Sequence, residues 1–275
     1  MKIKYNMKGL YIMFHSCFVM LVLCVTLHAA VDPTQSEQII VPLSRPGEPG
    51  SLSVGHYKGS ITVTGHNGKS VIISGAYRQK ETTKSRLKVS NTSIRLGATE
   101  KDNRVILDIH PSRRTIDLEI KVPHKFSLHL STHDNGQITV RDVSGDLEIN
   151  NVNGDIRLNG VSGSAVLYTV EGNLDIQFIH ITENMPMVFT SVEGKIDVTF
   201  PADVGALLKM KTDNGEIFHD SGLHIERHNP KVQRDDPTHS NRITLDDWSY
   251  CRLGNGETDI LIKTVNGDIF IRRIE

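Results

Sequence analysis

The sequence predicts an all-β solenoid, a right-handed β-helix-like stack of short strands in which about nine residues make each half-turn. Three observations carry this. Glycine returns every nine residues at Gly136, Gly145, Gly154, Gly163 and Gly172, and a short fixed period means one unit copied and stacked. Two and four residues after each glycine the chain is apolar: Ile138, Leu147, Ile156, Ala165 and Leu174, then Val140, Ile149, Leu158, Leu167 and Ile176. The residues between them are polar in nine of ten cases, an alternation of period two that marks a strand with one buried face. The residue before the glycine alternates through Asn135, Ser144, Asn153 and Ser162 before Glu171. Two nines therefore make an 18-residue coil. An antiparallel β-meander or sandwich with tight hairpins is the alternative, but it gives no reason for a doubled period.

The first 30 residues stand apart from the repeat. Lys2, Lys4 and Lys8 precede an apolar stretch from about Phe14 to Leu27, and Ala29 and Ala30 offer a cleavage point. This reads as a secretory signal peptide. The stretch is shorter than the roughly 20 residues of a spanning helix, so no membrane span is expected after cleavage. Leu23 before Cys24 is too large for lipoprotein processing. Residues 31–275 then form a single repeat domain.

GSITVTG (59–65) and KSVIISG (69–75) read as early strands of the same kind. Two positions before the glycine, Val143, Val152, Val161 and Val170 are expected to point inward. A longer repeat relates 117–138 to 195–217: each has a strand, then Pro123 or Pro201, a second strand and an Asp-Asn-Gly turn. The corner glycine recurs at Gly194, Gly215 and Gly267. A threonine sits three or four residues before the glycine at Thr132, Thr169, Thr190, Thr212 and Thr264. A polar insertion at about 219–257 interrupts the pattern.

The phrases GSITVTG, DLEIKVP, VSGDLEINNVNGDIRL and TVNGDIFIRR together resemble the bacterial putative-adhesin family of exported strand-repeat proteins of unknown function. The resemblance spans roughly 37–275. It implies a right-handed β-helix-like fold and export to the cell envelope, and it implies no catalytic residues and no cofactor.

Charge and cysteine content narrow the partners. The chain has 31 basic and 32 acidic residues. Removing the first 30 takes three lysines and no acid, leaving the chain acidic. That disfavours nucleic acid, which needs a concentrated basic face. The basic stretch 77–88 reads as a solvated hairpin tip. Two of three cysteines leave with the signal, so Cys251 has no internal disulfide partner.

Motifs for chemistry are weak. Calcium nonapeptides need paired glycines and a fixed acid, whereas Asp146 and Asp155 give way to Ser164 and Asn173 at the same position. His219, His224, His228 and His239 cluster in the insertion, but HIERH misplaces the glutamate of the zinc-protease motif. No nucleophile elbow surrounds Ser144 or Ser162. Asp155, Asp175 and Asp197 are the carboxylates a glycan-active β-helix enzyme would use, without forming a marked cluster. The remaining candidates are Trp248, the only tryptophan, and Tyr250. Both sit in an insertion of the kind that carries recognition on repeat scaffolds.

The expectation is a non-catalytic exported protein of the cell envelope, in the periplasm or at the cell surface. It has an adhesin-like binding or structural role toward a protein or glycan. The alternatives are a periplasmic scaffold or sensor and, second, the glycan-active enzyme. The open ends of a solenoid call for capping or for self-association into a homo-oligomer.

Overall fold

The computed structural model describes residues 37–78, 94–110, 113–221, 223, 225–227, 232–234, 243–245 and 248–274. The signal segment 1–30 and most of the basic stretch 77–88 lie outside them.

In chain order the strands are β1 (Glu37–Pro42), β2 (Gly50–Lys58), β3 (Ile61–His66), β4 (Ser70–Tyr77), β5 (Leu96–Lys101), β6 (Arg104–Ile109) and β7 (Ile116–Pro123). The central block follows with β8 (Phe126–Asp134), β9 (Ile138–Arg141), β10 (Ser144–Asn153), β11 (Ile156–Glu171), β12 (Leu174–Ile181), β13 (Met187–Glu193) and β14 (Ile196–Phe200). Last come β15 (Ala206–Asn214), β16 (Ile217–His219), β17 (Ile225–Arg227), β18 (Val232–Arg234), β19 (Ile243–Leu245), β20 (Ser249–Leu253), β21 (Thr258–Asn266) and β22 (Ile269–Arg273). No helix of the described residues is long and apolar enough to cross a membrane.

The architecture is the solenoid. In the central block every pairing is parallel, as coils wound around one axis require and a hairpin meander forbids. The register is the 18-residue step: Gly145 lies beside Gly163 and Leu147 beside Ala165, while Ile138, Ile156 and Leu174 line up across three coils. Strand β11 is long because it turns a corner. Its first residues pair with β9 and β12 on one face, and its later ones with β10 and β13 on the other.

The coils do not stack in chain order. One face runs β6, β2, β8, β10, β11, β13, β21, β15, and the other β7, β3, β9, β11, β12, β14, β22, β16. Of the eight coils among the described residues, the second is made by 50–66 and the seventh by 258–273. Both are slotted between coils adjacent in sequence. The chain skips one layer when it passes from β7 to β8, and one when it passes from β14 to β15. Those two passages are the long sequence repeat, 117–138 and 195–217. Pro123 and Pro201 therefore mark the places where a layer is left open for a distant segment.

Reversed strands cover the ends. At the first end β4 pairs antiparallel with β7 and β1 with β4, while β5 pairs antiparallel with β6. At the other end β20 pairs antiparallel with β15, and β17 with β20. Such caps hide the row of free backbone groups that a solenoid end presents. Strands β18 and β19 form a separate two-stranded sheet.

Inside, apolar side chains stack in rows such as Val54, Leu130, Ile149, Leu167, Phe189, Ile262 and Met210, all buried. Phe178 lies against Phe189 and Phe200, with ring centroids 6.1 and 6.3 Å apart. One inward row is polar: His56, Thr132, Asn151, Thr169, Ser191, Thr264 and Thr212. Each member from Thr132 to Thr212 donates to the carbonyl of the corner glycine one coil away: Gly59, Gly136, Gly154, Gly172, Gly194 and Gly267 in turn, at 2.7 to 3.2 Å. This row gives the threonine rule its physical cause, because a buried carbonyl at the turn needs a donor. Thr190 is the exception. It faces outward half-buried, and Ser191 takes its place in the row.

The valines before the glycines divide. Val143 and Val161 are buried as expected, but Val152 is exposed and Val170 half-buried, and both lie on the outer surface. The two corners of each coil turn differently. At the Asn-Gly corner the inward place belongs to Asn151 or Thr169, one residue earlier, which flips the valine outward.

Candidate interaction face

The outer surface of the β8–β10–β11–β13–β21–β15 sheet is the most distinctive part of the molecule. Successive coils place their outward residues in axial rows, one strand spacing apart. The first row runs Ser53, His129, Glu148, Val166, Val188, Leu261, Lys209. The second runs Ser131, Asn150, Tyr168, Thr190, Lys263, Lys211. A third holds Val152, Val170, Val192 and Val265, each flanked by residues in that same register.

Over the three coils from Val166 to Leu261 the surface is therefore apolar in two of three rows, and Val152 extends the third row by one coil. Val166 is 44% exposed, Tyr168 41% and Val152 37%. Val170, Val188, Val192, Leu261 and Val265 are half-buried by their neighbours. Outward positions on a solvated strand are ordinarily polar, and a contiguous apolar patch is unusual on a soluble surface. Charge frames it: His129 sits 3.1 Å from Glu148 at one side, and Lys263, Lys211 and Lys209 lie at the other. β-Branched residues suit this position because they pack on a pleated surface without help from the backbone.

Trp248 and Tyr250 flank the same face at its far end. Trp248 is half-buried, with the Lys209 ammonium over its ring at 4.4 Å. Tyr250 is half-buried on the capping strand β20, beside Lys209. Cys251 points the other way, into the core. It is 1% exposed, and burial raises its thiol pKa.

The corner glycines fall in two axial stacks. In one, a Cβ on Gly136, Gly154, Gly172, Gly194, Gly267 or Gly215 would overlap the carbonyl oxygen of the glycine stacked beside it. In the other, Gly163 meets Gly145 in the same way, and Gly145 meets the backbone of Phe126.

Of the carboxylates considered for catalysis, Asp175 and Asp197 are register partners on adjacent coils, and Asp155 lies beside Arg157 one coil before them. Asp155 accepts from the Asn173 backbone at 2.9 Å and pairs with Arg157 at 2.7 Å. Asp197 binds Arg272 at 2.8 Å. Arg157 lies between Thr139 and Asp175 on the neighbouring coils, but its ion pair is made with Asp155, two residues before it in the same coil. Asp146 accepts from the Ser164 hydroxyl at 2.7 Å. His219 is exposed and engages the Asp220 carbonyl at 3.0 Å; the side chains of His224, His228 and His239 lie outside the described residues. Among the described residues no group of three or more His, Cys, Asp or Glu side chains is placed to hold a metal.

The recurring Val-Asn-Gly and Val-Glu-Gly phrases carry the apolar rows, but period-two alternation predicts these valines inward because it does not encode the one-residue shift at the corner.

Comparison with known proteins adds a family for part of the chain. Residues 144–272, which span the coils bearing the apolar rows, match the Toastrack DUF4097 family model. No curated protein matches the chain. Among solved structures, a putative cell adhesion protein from Clostridium sporogenes is 13% identical with a TM-score of 0.43, over 87% of this chain and 100% of that one. A putative adhesin from Bacteroides fragilis is 14% identical with a TM-score of 0.35, over 86% and 97%.

Proposed function

We propose that this chain, whose residues 144–272 match the Toastrack DUF4097 family model, is a non-catalytic, exported scaffold of the cell envelope that holds a partner on its outer sheet face in the manner of an adhesin. The observation that carries this is the apolar patch of valine rows with Tyr168 at its centre. A flat, rigid, semi-apolar surface with a charged border suits a protein or glycan partner better than a small substrate, which needs a concave site. Trp248 and Tyr250 extend the same surface with two aromatic groups, a composition favoured in binding sites.

The test has two parts. An epitope tag after Glu275 is followed while intact cells are treated with protease, and attachment is compared between the wild-type chain and a Val166→Lys, Val188→Lys double variant. Loss of the tag, with attachment reduced at least tenfold by the variant at an unchanged melting temperature, supports the reading. A protected tag and unchanged attachment overturn it.

A further inference from the structure

The outer face has two unlike halves. Its strands are β2, β8, β10 and β11 on one side of a midline and β13, β21, β15 and β20 on the other. The apolar rows straddle that midline evenly. Val152 and Val170 precede it and Val192 and Val265 follow it, while Val166 faces Val188 across it. Away from the midline the halves differ in charge and bulk. The first carries the Glu148 carboxylate, its side chain 57% exposed, and thins to Ser53 and Gly55 on β2. The second carries Lys263 and Lys209 and thickens to Tyr250 and Trp248. Lys263 is half-buried beside Lys211 of the same row, and among the described residues no carboxylate pairs with it.

Each half therefore complements the other, which is the pattern an isologous interface requires. A two-fold axis lying in the face, along the strands and through the midline, lays a second copy on the first with the solenoid axes opposed. It sets β11 on β13, β10 on β21, β8 on β15 and β2 on β20 of the second copy. Val170 then meets Val192, Val152 meets Val265 and Val166 meets Val188. Glu148 arrives over Leu261, with Lys263 and Lys209 of the second copy on either side. The small end, Ser53 and Gly55, comes opposite the bulky end at Tyr250. The other two-fold, along the solenoid axis, would set each coil on its own image and crowd lysine on lysine, which like-charge repulsion opposes. Strands about 4.8 Å apart and rows about 6.7 Å apart make this face about 38 by 20 Å, close to the roughly 800 Å² each partner buries in a dimer of standard size. Reversed strands already cover the ends of the stack, so self-association falls to this face.

We propose that the outer face is a self-recognition surface on which a second copy of this chain docks antiparallel, about a two-fold axis between β11 and β13. The valine rows supply the contact area, and the Glu148 and Lys263 pairs fix its direction. The proposal rests on the outer-face reading and names the partner of that face.

The purified chain is followed by sedimentation equilibrium over a range of concentrations. A reversible dimer is expected for the wild type. Glu148→Lys and Lys263→Glu, taken singly, set like charges against each other at both symmetry-related contacts. Each is expected to weaken dimerisation at least tenfold, with the melting temperature of the dilute chain unchanged. Mixed in equal amounts, the two variants restore opposite charges at both contacts, and the mixture is expected to associate at least tenfold more tightly than either variant alone. A wild-type chain that stays monomeric overturns the proposal, and so does a mixture no tighter than its components. Attachment that the Val166→Lys, Val188→Lys variant abolishes while the wild-type chain stays monomeric also overturns it, but leaves the outer-face reading standing with another partner, so the two fail separately.

Discussion

A methyl group at Gly154 or Gly172 has no room. In each case the next corner glycine in the stack presents its carbonyl oxygen where the Cβ would go, and Gly154 also has a φ of 139°. Relief would require adjacent coils to separate along the axis, breaking the ladder on both faces. Gly154→Ala and Gly172→Ala are therefore expected to destabilise the chain by about 3 kcal/mol each, in the range of backbone strain and overpacking, as read from urea unfolding. Thr264→Val, which removes the hydroxyl that donates to the Gly194 carbonyl, should cost about 1–2 kcal/mol, and Thr264→Ser far less. His56 ends the polar row and brings a pH dependence. Burial holds its pKa below the ordinary 6.5, so the folded state keeps it neutral where the unfolded chain takes up a proton. Its contribution is intact above pH 6.5 and is lost as pH falls from 6.5 through the folded value. Urea midpoints measured from pH 7 to pH 5 should decline less steeply in His56→Gln than in the wild type. Cys251, buried with a raised pKa, should react with a thiol reagent only on unfolding in a chain lacking residues 1–30.

At the scale of the strand, inward and outward positions separate sharply. Ile156→Asp buries a carboxylate in a fully enclosed row and is expected to unfold the block, a loss above about 4 kcal/mol. Arg157→Asp gives up one exposed ion pair and should cost less than about 1 kcal/mol. Similar urea midpoints for the two would refute the assignment of faces. These central strands were legible in the sequence because their alternation and 18-residue register are local properties. The order of the coils was not. GSITVTG and TVNGDIFI carry the same alternation as any other strand, so nothing in their residues says that 50–66 and 258–273 lie inside the stack rather than at its ends. The trace they left was indirect, in the paired passages containing Pro123 and Pro201. The direction of Val152 and Val170 was also misread, because a shift of one residue at a corner exchanges core for solvent. The candidate face was hidden by that shift.

The whole molecule is a stack covered at its ends by reversed strands. Strand β1 protects β4, with Val41 and Leu43 anchored in the core. Deleting residues through Leu43 should expose the β4 edge and produce oligomers detectable by light scattering, while the intact chain scatters as a smaller species under the same conditions. Equal scattering would show that this edge is not a site of association.

The seventh coil has a consequence in time. Residues 258–273 leave the ribosome after residues 187–219, yet they lie between the layers those residues make, like a keystone set after the arch has been raised around its place. Ordinary repeat arrays can grow from one end as chain emerges; here β13 and β14 on one side, and β15 and β16 on the other, have no neighbour across the gap until β21 and β22 arrive. Completion is thus a late event of high sequence separation, and late non-local closure slows folding. The arrival of β21 and β22 therefore sets the moment at which this part of the stack becomes rigid.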